Sequence, residues 1–294
     1  VKALNFGNVT IDRVQDWYGA LLPFADFYPA FNQEVLDSQR GWLEPNFLSA
    51  RGSPREEWLH ISLHSYVVRS GKNLILVDTC VGNDKHRTLI PDWVGHRTDY
   101  LGKLVAAGVK PEEVTHVMCT HLHLDHVGWN TKLQDGQWVP TFPNARYVFD
   151  RTEFESCAAR PDAHVMDGSF TDSVLPIVEA GRADLVASDF ALDDTVWLEP
   201  SRGHTAGHVC INVKGSKGQA LMIGDSFHHP IQVAYPEWHT AYCIDKPAST
   251  VARRKILDKL CDQDIWMLAA HFNTPTAAHV VSSGGGRRLK AQAG

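Results

Sequence analysis

Six residues, His121-Leu122-His123-Leu124-Asp125-His126, place three imidazoles and a carboxylate directly after an apolar stretch that runs through Val114, Val117 and Met118. Imidazole and carboxylate are the side chains that bind zinc and its first-row neighbours, so the cluster calls for a fold in which a strand ends here and its loop converges. Ligands this close in sequence need little loop closure to meet. In an extended segment His121 and His123 point to the same side, while Asp125 can cap a following helix and aim His126 elsewhere. The chain has 16 His among its 294 residues, a background that supplies a stray imidazole but not this order.

Partners for the cluster come later as single residues in turn-like contexts. They are Gly203-His204-Thr205-Ala206-Gly207-His208, then Gly224-Asp225 closing the apolar run from Ala220 to Ile223, then His271 closing the run from Ile265 to Ala270. Each short apolar run has strand length and delivers a polar residue at or just after its end, where sheet-based enzymes hold reactive groups.

The order and rough spacing of His121, His123, Asp125, His126, His204, Asp225 and His271, with Gly128 and the Gly-His-Thr-x-Gly-His turn, resemble the binuclear metallo-β-lactamase fold hydrolases. The resemblance runs from about Tyr66 to His271. It implies an α/β fold of the αββα sandwich type, with two mixed β-sheets packed face to face and helices on the outer faces. It also implies that His121, His123 and His204 hold one metal, that Asp125, His126 and His271 hold the other, and that Asp225 bridges them. Two divalent ions, expected to be zinc, would then hydrolyse substrate through a metal-bridging hydroxide. The His and Asp ligands themselves accept zinc, manganese, cobalt or iron.

Departures from the family narrow the branch. His123 stands where the flavodiiron redox branch carries Glu, and Asp225 supplies a carboxylate that the β-lactamase branch lacks. Val77-Asp78-Thr79-Cys80 replaces the usual Asp-Thr-Gly, with Asp78 resembling a carboxylate that orients a ligand. Cys80 reads as a small packed thiol. The expected function is a zinc-dependent lactonase or esterase that opens a lactone or cleaves a related carboxylic or phosphoric ester with an apolar or aromatic moiety. A glyoxalase II-like thioesterase, a mononuclear iron persulfide dioxygenase and a non-catalytic member are the alternatives. The first calls for a basic clamp on glutathione, the second for one iron, the third for a missing ligand.

The surroundings of the ligands bear on the substrate. Trp129, Trp138, Phe227, Tyr235, Trp238 and Tyr242 follow the ligand-bearing segments, and Leu21 to Phe31 and Trp42 to Phe47 form an irregular aromatic stretch upstream. Together they suggest an aromatic-walled pocket for a neutral or weakly charged small molecule. Asp125 and Asp225 are catalytic candidates. His228, His229 and Tyr235 are candidates to donate a hydrogen bond to the developing oxyanion or leaving group, with His229 preferred among them and Tyr235 beside it.

The formal charge of −6 and the lack of a basic cluster argue against nucleic acid. No stretch approaches the roughly 18 apolar residues that span a bilayer. The six scattered cysteines, without a CxxC pair, read as reduced core thiols and give a cytoplasmic reading. Because the chain opens on Val1, a removed leader peptide stays open. No linker divides the chain, so one domain is expected over residues 1–281, with an aromatic N-terminal extension over about 1–58 and a flexible Gly-rich tail over 282–294. A homodimer is possible if the aromatic extension covers a neighbouring subunit. Ile61 to Val68 and Leu74 to Val77 read as a hairpin about Ser70-Gly71-Lys72. Further strands are expected at 114–119, 147–149, 209–213 and 221–223. Helices are expected at Tyr100, Leu101, Leu104 and Val105 and at Ala252, Ile256 and Leu260.

Overall fold

A computed structural model describes residues 3–163 and 166–291. Its first sheet is built mainly from strands that alternate between two buried faces. Strands β1 (Leu4–Asn5), β2 (Val9–Pro23), β3 (Trp58–Ser70), β4 (Asn73–Val77) and β5 (His116–Met118) lie side by side in that order. A small hairpin, β6 (Thr131–Gln134) with β7 (Gln137–Pro140), stands apart, and β8 (Arg146–Asp150) and β9 (Ala183–Val186) complete the seven-stranded sheet. The second sheet has six strands in chain order: β10 (Val196–Pro200), β11 (Val209–Gly215), β12 (Gly218–Met222), β13 (Ile265–Leu268), β14 (Ala277–Ser283) and β15 (Gly286–Ala291). Both sheets are mixed, with β4 parallel to β5, β5 to β8, β8 to β9 and β12 to β13.

Alternation along these strands explains the layers. On the first sheet Ile11, Tyr66, Val68, Ile75, Val77, Met118 and Val148 face one way. They meet Val196, Leu198, Val209, Ile211, Val213, Ala220 and Met222 of the second sheet in a shared core. Their neighbours Val67, Leu76, Val117 and Tyr147 point to the opposite face, with Tyr100 and Leu104 of helix α3 in the same apolar cluster. That placement of successive side chains on opposite faces is the period of two expected of strands. Seven helices are found among the described residues: α1 (Phe24–Phe27), α2 (Gln33–Leu43), α3 (Tyr100–Ala106), α4 (Arg151–Ala158), α5 (Leu175–Glu179), α6 (Ile231–Ala234) and α7 (Lys246–Leu260). Helix α7 turns Ala252, Ile256, Leu257 and Leu260 inward, and its N-cap Asp245 accepts the Ala248 amide at 2.9 Å. The αββα sandwich is therefore the fold, as expected. None of the helices among the described residues is long and apolar enough to cross a membrane.

Two boundaries differ from the sequence reading. The N-terminal segment is no appendage: β2 pairs with β3 from Val9↔Ser70 to Pro23↔Trp58, interrupted by irregularities between Gln15 and Trp17 and between Ala20 and Leu22. Those shifts change the phase of the buried positions, so the strand lacks a clean alternation to read. Nor are residues 282–291 a flexible tail. Ser283 pairs with Gly286 across Gly284 and Gly285, both at positive φ, and β15 continues on β14 to Ala291. A Gly-Gly pair supplies the two left-handed residues that a tight hairpin turn requires. Residues 292–294 of the expected tail, like residues 1 and 2, lie outside the described residues.

Candidate metal centre

Strand ends deliver the polar groups to one edge of the sandwich. Asp78 follows β4, the segment from Cys119 to His126 follows β5, the turn holding His204 follows β10, Gly224-Asp225 comes just after β12, and His271 just after β13. This is the carboxyl edge of the parallel strands, the usual place for a site in open α/β sheets. The stretch after Asp125 forms turns and one short 3-10 turn, Gly128–Asn130, rather than the helix Asp125 was expected to cap. Gly128 fits a tight crossing there: its N–H donates to the Cys80 carbonyl at 2.7 Å, and a Cβ at this position would lie 1.8 Å from the Val81 oxygen.

All seven expected ligands come together. Ligand atoms of His121, His123, His204 and Asp225 lie within 4.8 Å of one another, and so do those of Asp125, His126 and His271. Asp225 stands between the groups. Its Oδ1 lies 3.1 Å from His126 Nε2 and 2.9 Å from His271 Nε2, and its Oδ2 lies 3.3 Å from His204 Nε2 and 3.7 Å from His121 Nε2. Asp125 Oδ2 is 3.5 Å from His271 Nε2.

Buried partners fix which imidazole nitrogens are bare, with the tautomers assigned from those partners. Asp78, held at φ 56°, accepts Thr120 N–H at 2.8 Å on Oδ1. Its Oδ2 accepts the Thr120 hydroxyl and His126 Nδ1–H, each at 2.9 Å. The Thr120 oxygen in turn accepts His121 Nδ1–H at 3.2 Å. One carboxylate thus orients a histidine of each group, directly for His126 and through Thr120 for His121. His208 accepts the Asp225 N–H on Nε2 at 2.9 Å and donates from Nδ1 to Ser201 Oγ at 2.7 Å. Glu153, on the inner face of α4, accepts Leu122 N–H at 3.2 Å and Gly207 N–H at 2.8 Å, tying the H-x-H-x-D-H loop to the Gly-His-Thr turn. Sequence reasoning missed Glu153 and Thr120, and gave His208 only as part of the Gly-His-Thr-x-Gly-His turn, with no role of its own. For Glu153 the local signal was the Asp150-x-x-Glu153 start of α4, where Asp150 caps the Glu153 amide at 2.9 Å.

These residues fit divalent cations. His121 Nε2 and Asp225 Oδ1 are buried without a hydrogen-bond partner. The Nε2 atoms of His126 and His271 approach to 3.1 Å, and His123 Nδ1 lies 3.0 Å from Nε2 of His204. Converging lone pairs on buried nitrogen and oxygen are what a cation satisfies. Protons otherwise divide unequally among them. Burial, then neighbouring imidazoles, holds His121 and His123 well below the usual histidine range. Burial opposes charge on His204 as well, yet Asp225 and Cys243 outweigh it and carry this residue up to about 10. Burial likewise opposes the Asp225 anion, but the surrounding imidazoles, led by His126 and His271, hold its carboxyl well below the usual range. Cation binding would therefore displace protons.

Two proposed helpers do not reach the centre. His229 Nε2–H donates to the Phe47 carbonyl at 2.8 Å, and its Nδ1 accepts the Ile231 N–H at 3.1 Å. Both nitrogens are thus used by backbone, and burial pushes this histidine down to about 4. Tyr235 meets Gln39 Nε2 at 3.3 Å and packs on Trp238. His228 is the one of the three that lies at the centre, its Nε2 3.0 Å from Asp225 Oδ2.

A cavity opens over the candidate metal ligands. Its floor is His123, Asp125, His204, Asp225, His228 and His271, and its walls are Leu21, Phe27, Ile61, Leu89, Ile90, Trp93, Leu124 and Tyr242. The wall is apolar and partly aromatic: Phe27 and Tyr242 come from the segments expected to supply it and Trp93 does not, while the other aromatics expected downstream lie elsewhere. Trp129 stacks on Tyr100 and Phe227 is fully buried in the core. Trp138 sits beneath Lys85, and Trp238 joins Tyr28 and Phe31. Of the downstream aromatics only Tyr242 reaches the cavity, whereas Leu21 and Phe27 arrive from the N-terminal segment, which covers its own pocket.

A two-sheet sandwich carrying a His/Asp centre of this kind defines a class of metal-dependent hydrolases. Residues 62–270 match the Metallo-beta-lactamase superfamily, and the chain belongs to it. An N-acyl homoserine lactonase from Bacillus cereus is 23% identical over 120 residues, 41% of this chain and 41% of that protein's length. A probable metallo-hydrolase of Mycobacterium tuberculosis is 25% identical over 230 residues, 71% of this chain and 74% of its own. Among solved structures, the beta lactamase superfamily hydrolase AbOPH superposes with a TM-score of 0.81 at 23% identity, covering 99% of this chain and 97% of that one. AidC, a dizinc quorum-quenching lactonase, superposes at 0.79 with 18% identity, covering 100% and 97%. At such identities these superpositions speak for the fold.

Proposed function

We propose that this hydrolase is binuclear, with zinc as its ion, and that it opens a lactone or cleaves a related carboxylic or phosphoric ester bearing an apolar or aromatic group. The observation that carries the reading is Asp225, whose two oxygens face two separate ligand groups at the floor of an apolar-walled cavity. Two cations there would polarise a carbonyl or phosphoryl oxygen and lower the pKa of water. His121, His123 and His204 would hold one, Asp125, His126 and His271 the other, with Asp225 shared.

The chain's own groups do the rest. His228, pushed down to about 4 mainly by burial, is neutral and donates to Asp225 Oδ2, which steadies the bridging carboxylate. Burial, then the charges of Asp125 and Asp26, pushes the Tyr242 phenol up, so it remains a hydrogen-bond donor at the cavity wall through neutral pH. It replaces His229 and Tyr235 as the group proposed to donate to substrate oxygen. Leu21, Phe27, Leu89 and Trp93 would seat the apolar part of the substrate and exclude water from it. The lining residues include no Lys or Arg to clamp an anionic glutathione, which favours the ester reading over a thioesterase. The likeness to lactonases points the same way.

The test is metal content per chain together with turnover of γ-lactones, aryl esters, phosphotriesters and S-lactoylglutathione. Two zinc ions and hydrolysis of a neutral ester or lactone are expected. One iron per chain with oxygen uptake, or fastest turnover of the glutathione thioester, overturns the reading.

A further inference from the structure

One wall of the cavity is a loop, and a loop holds a wall only as well as it is anchored. The chain between β4 and α3 has a single short 3-10 turn, Pro91–Trp93, yet it brings Leu89, Ile90 and Trp93 to the cavity. Its anchors lie just upstream. Arg87, fully buried, forks onto Asp172, with Nη1 to Oδ2 at 2.7 Å and Nη2 to Oδ1 at 2.8 Å. The same Nη1 reaches the Asp167 carbonyl at 2.9 Å. Lys85 Nζ donates to the Asp172 carbonyl at 3.0 Å and sits 3.5 Å from the centre of the Trp138 ring. The Asp167 carboxylate accepts the backbone N–H groups of Thr88 and Leu89, the latter at 2.9 Å, and the Thr88 hydroxyl at 3.1 Å. Four loop residues are thus tied to the single segment 167–172, which itself lines none of the cavity.

Burying an ion pair is a poor way to gain stability, because apolar residues of similar volume do as well. A two-pronged arginine bond supplies position, since the planar fork meets a carboxylate in one geometry. Asp172 stands on a π-helical turn, Phe170–Val174, a backbone form found mostly as single turns and frequently at functional sites.

We propose that Asp167 and Asp172 are positioning residues for substrate selection. They hold the Leu89–Trp93 wall at the spacing from Leu21 and Phe27 that seats an extended apolar acyl chain, and so set the chain length the enzyme prefers. The proposal rests on the cavity being the substrate site of the hydrolase described above.

Asp167→Ala removes the acceptor of two loop amides and leaves the Lys85–Arg87–Asp172 cluster intact, whereas Asp167→Asn keeps an acceptor oxygen in a residue that tolerates positive φ. In Asp167→Ala, amide exchange should rise in residues 85–93 with little change elsewhere. KM for p-nitrophenyl octanoate should rise about tenfold, while its kcat and both constants for p-nitrophenyl acetate stay within about twofold. Octanamide, bound without turnover, should weaken relative to acetamide by a similar factor, and Asp167→Asn should lie nearer the wild type in every readout. Equal losses on both chain lengths, unchanged exchange in residues 85–93, or a wild type that binds octanamide no better than acetamide overturns the proposal. A wild type that prefers octanamide but hydrolyses neither ester overturns the hydrolase reading instead, and the amide comparison then decides the role of Asp167.

Discussion

Asp78→Asn isolates the orientation of the candidate metal ligands from the stability of the fold. The side chain keeps its shape, and Asn accepts the left-handed backbone at φ 56° as readily as Asp. Its oxygen can still accept the Thr120 N–H now bound at 2.8 Å. Its NH2 then faces the Thr120 hydroxyl and His126 Nδ1, where Oδ2 accepted from both at 2.9 Å. The hydroxyl can turn and accept. His126 can make that contact only by moving its proton to Nε2, the atom that would face a cation. Restoring the binding tautomer sets a donor against a donor, worth about 1–3 kcal/mol. Through Thr120 the disturbance extends to His121, so both ions should bind about ten- to a hundredfold more weakly, the usual cost of losing such an orienting partner. The assay is competition against a chromophoric zinc chelator, with urea unfolding of the metal-free protein as the control for stability. Wild-type affinity at both sites would refute the tautomer argument, and weakening at the His126 site alone would refute the relay through Thr120.

Asp225→Ala should abolish binding of both ions and hydrolysis together, because it removes the carboxylate shared by the two groups; retention of one full-affinity ion by metal analysis would count against sharing. His229→Gln should leave kcat within about twofold and lower stability by about 1–2 kcal/mol through its bond to Phe47, so a large kcat loss would restore a catalytic role to His229. Gly128→Ala should destabilise thermal unfolding by at least about 3 kcal/mol, the upper end for overpacking, because the colliding atoms belong to the Val81 backbone. Lys85, pushed down to about 7 by burial against the pull of Asp172, binds its proton in the unfolded chain up to its ordinary value of 10.5 but not in the fold. Stability should therefore rise between about pH 7 and 10, by up to about 1.4 kcal/mol per pH unit, and flatten below. Lys85→Met should remove that slope in denaturant titrations; an unchanged slope assigns it to other groups.

The strand ends and the ligand cluster were legible because both are local: His121 to His126 lie within six residues, and Asp225 and His271 each close an apolar run. The cavity wall was legible only in part, through Leu21, Phe27 and Tyr242, because it is assembled across the fold. Phe27 meets His228 only through tertiary packing, with ring centres 5.3 Å apart. Choosing His229 over His228 failed for a related reason. Adjacent residues on a turn point differently, and the carbonyl that claims His229 belongs to Phe47, far upstream. The terminal hairpin was hidden because Leu289 is the one buried residue on β15, too weak an alternation to mark a strand.

Each ligand group draws on both halves of the sandwich. His121 and His123 come from the first sheet's edge and His204 from the second's; Asp125 and His126 come from the first and His271 from the second, with Asp225 also from the second. A cation in either place would therefore be a staple between the sheets, and its chemical potential would enter the equilibrium between folded and unfolded chain. An ion at a hundred times its dissociation constant adds about 2.7 kcal/mol to unfolding. Metal supply in the surroundings would then govern how long the molecule survives as well as how fast it works.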